Sequence, residues 1–304
     1  MKHRTFCAGP GRWLLAACLA GMALNAQAAP PKLELPPLNT VSGSPRLPGK
    51  FVWADLVTDD AAAARKFYGR LFGWTFQDVG NYTIAANEDR PLCGIFQRPR
   101  PADRPEAKPR WFGYISVPNV ARAKSTIIKA GGRLLAAPKK MPQRGEQAVF
   151  ADPEGAVFGV VKSSSGDPPD FLADPGDWIW IELLSRDAAK AGGFYHAVAG
   201  YDVVTNDVSP RPDDYVFVSK GYARAAAFTL PADKPKIQPA WLLFVRVKNI
   251  SDCVTQVEQL GGKVLLAPDT RLFNGKLAVI ADPTGAELGV MEWTGEMLKG
   301  GQEP

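Results

Sequence analysis

Histidine is nearly missing from this chain: only His3 and His196 occur in 304 residues. A site that needs an imidazole as metal ligand, general base or nucleophile partner would depend on one side chain, so no Ser-His-Asp or Cys-His set can be assembled. Cysteine is scarce as well. Of four, Cys7 and Cys18 lie near the start, and Cys93 and Cys253 fall in different halves of the chain. That leaves no disulfide framework, and whether the last two pair stays open. No glycine-rich phosphate loop follows a strand-like run. No apolar run reaches the about 20 residues that span a bilayer, so no transmembrane helix is expected. Excess charge is missing too: with Lys2, Arg4 and Arg12 set aside, the formal net charge of +5 falls to +2. A nucleic-acid binder keeps a basic face to neutralise phosphates. The one dense basic stretch, "QRPRPADRPEAKPR", is broken by prolines and acids and reads as solvated loop, so no nucleic acid is expected as a partner.

The start supplies a basic beginning, a twelve-residue apolar run from Trp13 to Leu24, and the small-x-small Ala26-Gln27-Ala28. This reads as a secretory signal peptide over residues 1–28, cleaved before Ala29 to release a periplasmic or secreted protein. The alternative is a lipoprotein: "LAAC", ending at Cys18, resembles a lipid-attachment box. Residues 29–49 are rich in proline and read as an extended tether. A second breaker cluster, "KSSSGDPPDFLADPGD", predicts a linker over 163–177 between domains at 50–162 and 178–294, with a tail at 295–304.

Repetition dominates what is present. "FVWADLVTDDAAAARKFYGRLFGW" returns as "WIWIELLSRDAAKAGGFYHAVAGY": Trp53 matches Trp180, Asp60 matches Asp187, and Phe67-Tyr68 matches Phe194-Tyr195. Further on, Gly131-Gly132 matches Gly261-Gly262 and "ADPEGA" matches "ADPTGA". Within each half a strand-then-helix phrase occurs twice, which predicts four βαβββ units and an α+β fold. The glycine pairs suit left-handed helix ends. Asp152 and Asp282, in Asp-Pro-x-Gly, read as turn formers, the helix aromatics as core, and His196 as surface.

The string of Asp, Phe-Tyr, "LFGW" and "ADPEGAVFGV", repeated in register, resembles the vicinal-oxygen-chelate superfamily of glyoxalase I, extradiol dioxygenases and bleomycin-resistance proteins, and most of all its CGA-type glyoxalase-like subgroup. The resemblance implies paired βαβββ units curled into an incomplete eight-stranded barrel around a cleft, twice in tandem. It also implies where a metal would be held: a His or Gln seven residues before the Asp that opens each helix, and a Glu seven residues beyond the turn Asp. Here Trp53, Trp180, Phe112 and Leu242 occupy the first positions, and Gly159 and Gly289 the second. None of these ligates a divalent ion. No metal and no other cofactor is therefore expected, and the family's Lewis-acid chemistry with it.

If the old ligand positions face the cleft, strand alternation turns residues two further along the same way. Trp53 with Asp55, and Trp180 with Glu182, then share the cavity face. Phe112 and Tyr114 join the first pair; Leu242, Phe244 and Arg246 join the second. Gly159 and Gly289 would leave room. Such a pocket suits a flat or aromatic small molecule. Asp55 and Glu182 are the candidates for proton transfer, since a carboxylate beside tryptophan in poor solvent has a raised pKa; the alternative is a structural role in capping strands or pairing with a cation such as Arg246. Three functions remain open: a metal-independent binder of small apolar or aromatic molecules, a cofactor-free isomerase, lyase or hydrolase, and an envelope scaffold.

Overall fold

Strand, helix and three further strands follow one another four times in the computed structural model, which describes residues 34–39, 43–100, 107–206 and 213–293. The expected signal peptide, Cys18 and the tail lie outside the described residues. The first unit comprises β1 (Phe51–Thr58), α1 (Ala61–Phe72), β2 (Thr75–Val79), β3 (Tyr82–Asn87) and β4 (Arg90–Gln97). The second comprises β5 (Arg110–Ser116), α2 (Val120–Lys129), β6 (Arg133–Met141), β7 (Gly145–Ala151) and β8 (Val157–Ser163). The third runs through β9 (Trp178–Ser185), α3 (Ala188–Ala199), β10 (Asp202–Thr205), β11 (Tyr215–Ser219) and β12 (Tyr222–Thr229). The fourth has β13 (Ala240–Val247), α4 (Ile250–Gln259), β14 (Lys263–Leu266), β15 (Leu277–Ala281) and β16 (Glu287–Glu292).

Each half forms one mixed eight-stranded sheet, in the orders β2-β3-β4-β1-β5-β8-β7-β6 and β10-β11-β12-β9-β13-β16-β15-β14. The first strands of paired units meet antiparallel at the centre, β1 on β5 and β9 on β13. The outermost strands do not pair with each other, so the sheets stay open.

Local chemistry sets the helix ends. Asp60, Asn119, Asp187 and Asn249 each accept the backbone N–H three residues on, capping α1 to α4. Gly73 and Gly200 end α1 and α3 at φ of 78° and 75°, a region where a side chain would be strained.

One apolar core serves both halves. Phe67, Tyr68, Trp74 and Trp111 lie in the same buried cluster as Phe194, Tyr195, Phe217 and Trp241. Phe51 packs on Trp241 at 4.9 Å between ring centres, and Trp178 on Trp74 at 5.6 Å. The two turn aspartates join the halves as well. Asp152 accepts the N–H groups of Glu154 and Ala156 with one oxygen and the Tyr195 hydroxyl with the other, at 3.1 Å. Asp282 repeats this with Thr284, Ala286 and Tyr68, the last at 3.0 Å. Cys93 and Cys253 are free and buried, and burial pushes both thiols up, Cys253 to about 12.

Where it is described, the stretch expected to be an extended tether is packed instead. Leu35 and Leu38 are buried against Trp53, Phe112 and Tyr114. Two leucines among prolines carry no period that would have announced this. The linker is likewise laced in place: Asp167 accepts the Leu47 N–H at 2.6 Å and the Ser116 hydroxyl at 2.5 Å, and the fully buried Asp177 accepts from Asn87 at 2.9 Å.

Candidate functional site

The central antiparallel pair of each sheet places the expected site residues opposite one another. On β1 and β5, Trp53 faces Tyr114 and Asp55 faces Phe112. On β9 and β13, Trp180 faces Phe244 and Glu182 faces Leu242. Strand register thus sets these residues opposite one another on each sheet, as alternation implied. What surrounds them differs between the halves.

In the first half the set is enclosed. Asp55 is 1% exposed, and its carboxylate accepts three side-chain hydrogen bonds. One oxygen takes the Tyr82 hydroxyl at 2.6 Å and the Trp53 indole N–H at 3.0 Å; the other takes the Tyr114 hydroxyl at 2.8 Å. Burial raises the Asp55 carboxyl above the ordinary range, and the hydrogen bonds from Tyr82 and Tyr114, the Arg144 charge and the Trp53 bond each oppose that rise. Arg144 lies with its guanidinium carbon 4.1 Å from the centre of the Trp53 ring. Leu35, Leu38 and Met141 complete the cluster.

Tyr82, Arg144, Leu35 and Leu38 were not anticipated. For Tyr82 a signal existed in the lone glycine of "PLCGIFQ". A Cβ on Gly94 would stand 1.6 Å from the Tyr82 hydroxyl oxygen, so only glycine lets the phenol cross β4 to reach Asp55. Gly94→Ala is accordingly expected to displace Tyr82, strip Asp55 of its shortest hydrogen bond and cost about 3 kcal/mol of stability. An unchanged urea midpoint would show that the phenol has slack.

The second half presents a smaller cluster. Leu242, Phe244 and Met291 are buried, with Ile179, Trp180, Leu277 and Val279 partly exposed around them. All seven come from β9, β13, β15 and β16, and among the described residues no hydrophobic side chain from outside these strands joins them as Leu35 and Leu38 join the first cluster. Glu182, also partly exposed, lies two residues beyond Trp180. Arg246 was expected at the ligand face, but its donors reach the main-chain oxygens of Ala173, in the linker, and Trp293. The structure thus engages Arg246 in holding the linker.

Gly159 and Gly289 do not open the expected room. The Tyr114 ring lies across Gly159, where a Cβ would come within 2.2 Å of it, and the Phe244 ring lies across Gly289 at 2.1 Å. Aromatic rings fill the positions where the resemblance implies a chelating carboxylate. The remaining positions offer an indole N–H donor, a phenyl ring and an aliphatic chain, none with a lone pair for a divalent ion. Among the described residues no group of three or more His, Cys, Asp or Glu could hold a metal. The donor set does not fit the ion.

Sequence comparison decides the family. Residues 50–160 match the model of the glyoxalase/bleomycin resistance protein/dioxygenase superfamily, and residues 178–291 match that of a glyoxalase-like domain. The chain belongs to this superfamily. It is a tandem glyoxalase-like protein, similar over 79% of its length to 93% of a Mycobacterium tuberculosis protein named "Putative glyoxylase CFP32", with 28% identity. Likeness to the anthracycline biosynthesis protein DauV of Streptomyces sp. (strain C5) is 29% identity over 81% of this glyoxalase-like chain and 94% of DauV. Among solved structures, the Mn(II)-bound glyoxalase from Novosphingobium aromaticivorans aligns with a TM-score of 0.54 and 14% identity, covering 80% of this chain and 82% of that one. A variant of homoprotocatechuate 2,3-dioxygenase from B. fuscum aligns at 0.55 and 13%, covering 86% and 74%. At such identities the shared property is the fold.

Proposed function

We propose that this glyoxalase-like protein is exported and binds a small, planar, largely apolar molecule on its second sheet, without a metal ion. One observation carries the reading: Trp180 pairs with Phe244 across β9 and β13, in one cluster with Leu242 and Met291, and Trp180 remains partly exposed. A partly exposed tryptophan ringed by Ile179, Leu277 and Val279, backed by the buried Phe244 and with Glu182 two residues along the strand, matches the make-up of sites that hold flat ligands. The names of the anthracycline-biosynthesis relatives support a polycyclic aromatic as the first probe. Export rests on the basic and apolar start of the chain, and metal independence on the donor set.

Calorimetric titration with an anthracycline aglycone tests the reading. Trp180→Ala is expected to weaken binding about tenfold or more, equivalent to about 1.4 kcal/mol, through loss of one stacking face. Substitution of the exposed Lys190, on α3, should change nothing. Equal affinity in wild type and Trp180→Ala, or no binding across a panel of planar aromatics, would defeat the proposal.

A further inference from the structure

We propose that the first sheet carries a second, covered ligand site, built for a carboxylate on an apolar body, and that residues 34–39 occupy it as a built-in stand-in. The central observation is Arg144, whose side chain is among the largest fully buried ones at 1% exposure. Its Nε–H donates to the Pro36 carbonyl oxygen at 2.8 Å, the one hydrogen bond the side chain makes among the described residues. Its Nη2 is buried without any partner. The N–H bonds of Nε and Nη2 form one edge of the guanidinium plane, spaced to meet both oxygens of a carboxylate. Here that edge meets a single neutral oxygen. A buried cation with an unmet donor is costly to maintain unless something else at times completes it.

Asp55 does not complete it. Its two oxygens are taken by Trp53, Tyr82 and Tyr114, and no ion pair joins it to Arg144 among the described residues. Below the guanidinium lies the Trp53 ring, with Phe112, Tyr114 and Met141 beside it. Leu35 and Leu38 fill the apolar part of that space and the Pro36 carbonyl fills half of the polar edge. The segment thus supplies an apolar body and one acceptor. A ligand with an apolar body and two acceptors would replace each contact and add the missing one. The covering segment has no helix or strand of its own, and Pro36 and Pro37 lack the N–H that would tie it to a sheet edge; its end is anchored at Asn39, whose N–H donates to the Ser165 hydroxyl at 3.2 Å and whose side chain donates to the Ser44 hydroxyl and the Asp167 carbonyl. Among the described residues the second sheet's cluster has no buried arginine and no member from outside its strands, so the site is independent of the one proposed above.

The test uses the full chain with 2-naphthoate as probe and 2-naphthamide as neutral control. In the unsubstituted protein, 2-naphthoate is expected to speed hydrogen exchange at the Leu38 and Asn39 amides severalfold as the segment leaves, and 2-naphthamide is expected not to. Because a cover reduces apparent affinity by the fraction of molecules that are open, Leu35→Ala/Leu38→Ala should bind 2-naphthoate about tenfold tighter than wild type. Adding Arg144→Lys to that variant keeps the charge but removes the paired edge, and should erase the preference for naphthoate over naphthamide. Trp180→Ala, which alters only the site on the second sheet, should leave the exchange response at Leu38 and Asn39 unaltered. Equal responses to acid and amide, or no change in exchange at saturating 2-naphthoate, would overturn the proposal. The exchange measurement needs no substitution, so it decides even if the double variant fails to fold.

Discussion

Asp55→Ala is expected to destabilise the protein by about 4 kcal/mol, a large share of the roughly 5 to 15 kcal/mol that holds a typical domain together. The carboxylate is the acceptor for the Tyr82 and Tyr114 hydroxyls, both in residues at most 2% exposed. It is also the anion whose field opposes the Arg144 charge across the Trp53 ring. Truncation would leave two buried hydroxyls without their acceptor and one buried cation without its compensating charge, and each such loss costs about 1 to 3 kcal/mol or more. Tyr82→Phe, which removes a donor but leaves Asp55 two others, should cost only about 1 kcal/mol. Urea unfolding of the three proteins measures the ranking, and an Asp55→Ala loss as small as that of Tyr82→Phe would contradict it.

The same residue sets a pH dependence with a defined sign. Because burial places the folded-state pKa of Asp55 above its unfolded value, the native protein binds this proton more tightly than the unfolded chain does. Asp55 therefore favours folding most when protonated, and that contribution falls as pH rises from about 4 through the raised folded pKa. Asp55→Asn cannot titrate. The stability of wild type relative to Asp55→Asn should improve as pH falls through that window and stay flat above it. A difference that is flat throughout would show that the three hydrogen bonds fully offset the burial.

The second large effect concerns the junction between the halves. Asp152→Ala combined with Asp282→Ala is expected to cost about 6 kcal/mol. Each aspartate closes its own turn with two backbone hydrogen bonds and accepts a tyrosine hydroxyl from the opposite half. Each of those tyrosines in turn accepts an indole N–H, from Trp241 to Tyr195 and from Trp111 to Tyr68, both at 2.8 Å. Removing a carboxylate thus opens a turn and strands a buried Trp-Tyr pair, at about 3 kcal/mol per copy. Since the two copies straddle one shared core, wild type should unfold in a single transition, whereas the double variant should be the form in which two appear. Calorimetry separates these outcomes: two transitions in wild type would mean that the junction is weak already.

Both networks show where reading from sequence alone stops. The four βαβββ units, their helix caps at Asp60, Asn119, Asp187 and Asn249, and the turns at Asp152 and Asp282 are all legible, because each depends on residues close together in the chain. The cross-strand sets around Trp53 and Trp180 are legible as well, through the two-residue period of a strand. Asp152 was readable as a turn former but not as the acceptor for Tyr195, because that contact spans 43 residues and joins different halves. Arg144 sits beside Gly145 in a hairpin, where a charged residue usually meets water, so nothing local sends it inward. Arg246 has the right strand parity for the ligand face, yet a long flexible side chain can leave the direction its Cβ sets, and it reaches Ala173 and Trp293.

By itself, then, the amino-acid order determined the repeat, the family, the element sequence and the replacement of chelating residues by rings and glycine, since periodicity, capping and residue chemistry are local properties. Only the tertiary structure decided that one half's cluster takes in Leu35 and Leu38 while its twin, among the described residues, is built from its own strands alone, and that the two halves share one core. Those outcomes depend on which distant surfaces meet. The free energy of burying apolar area is indifferent to the order in which its residues occur along the chain.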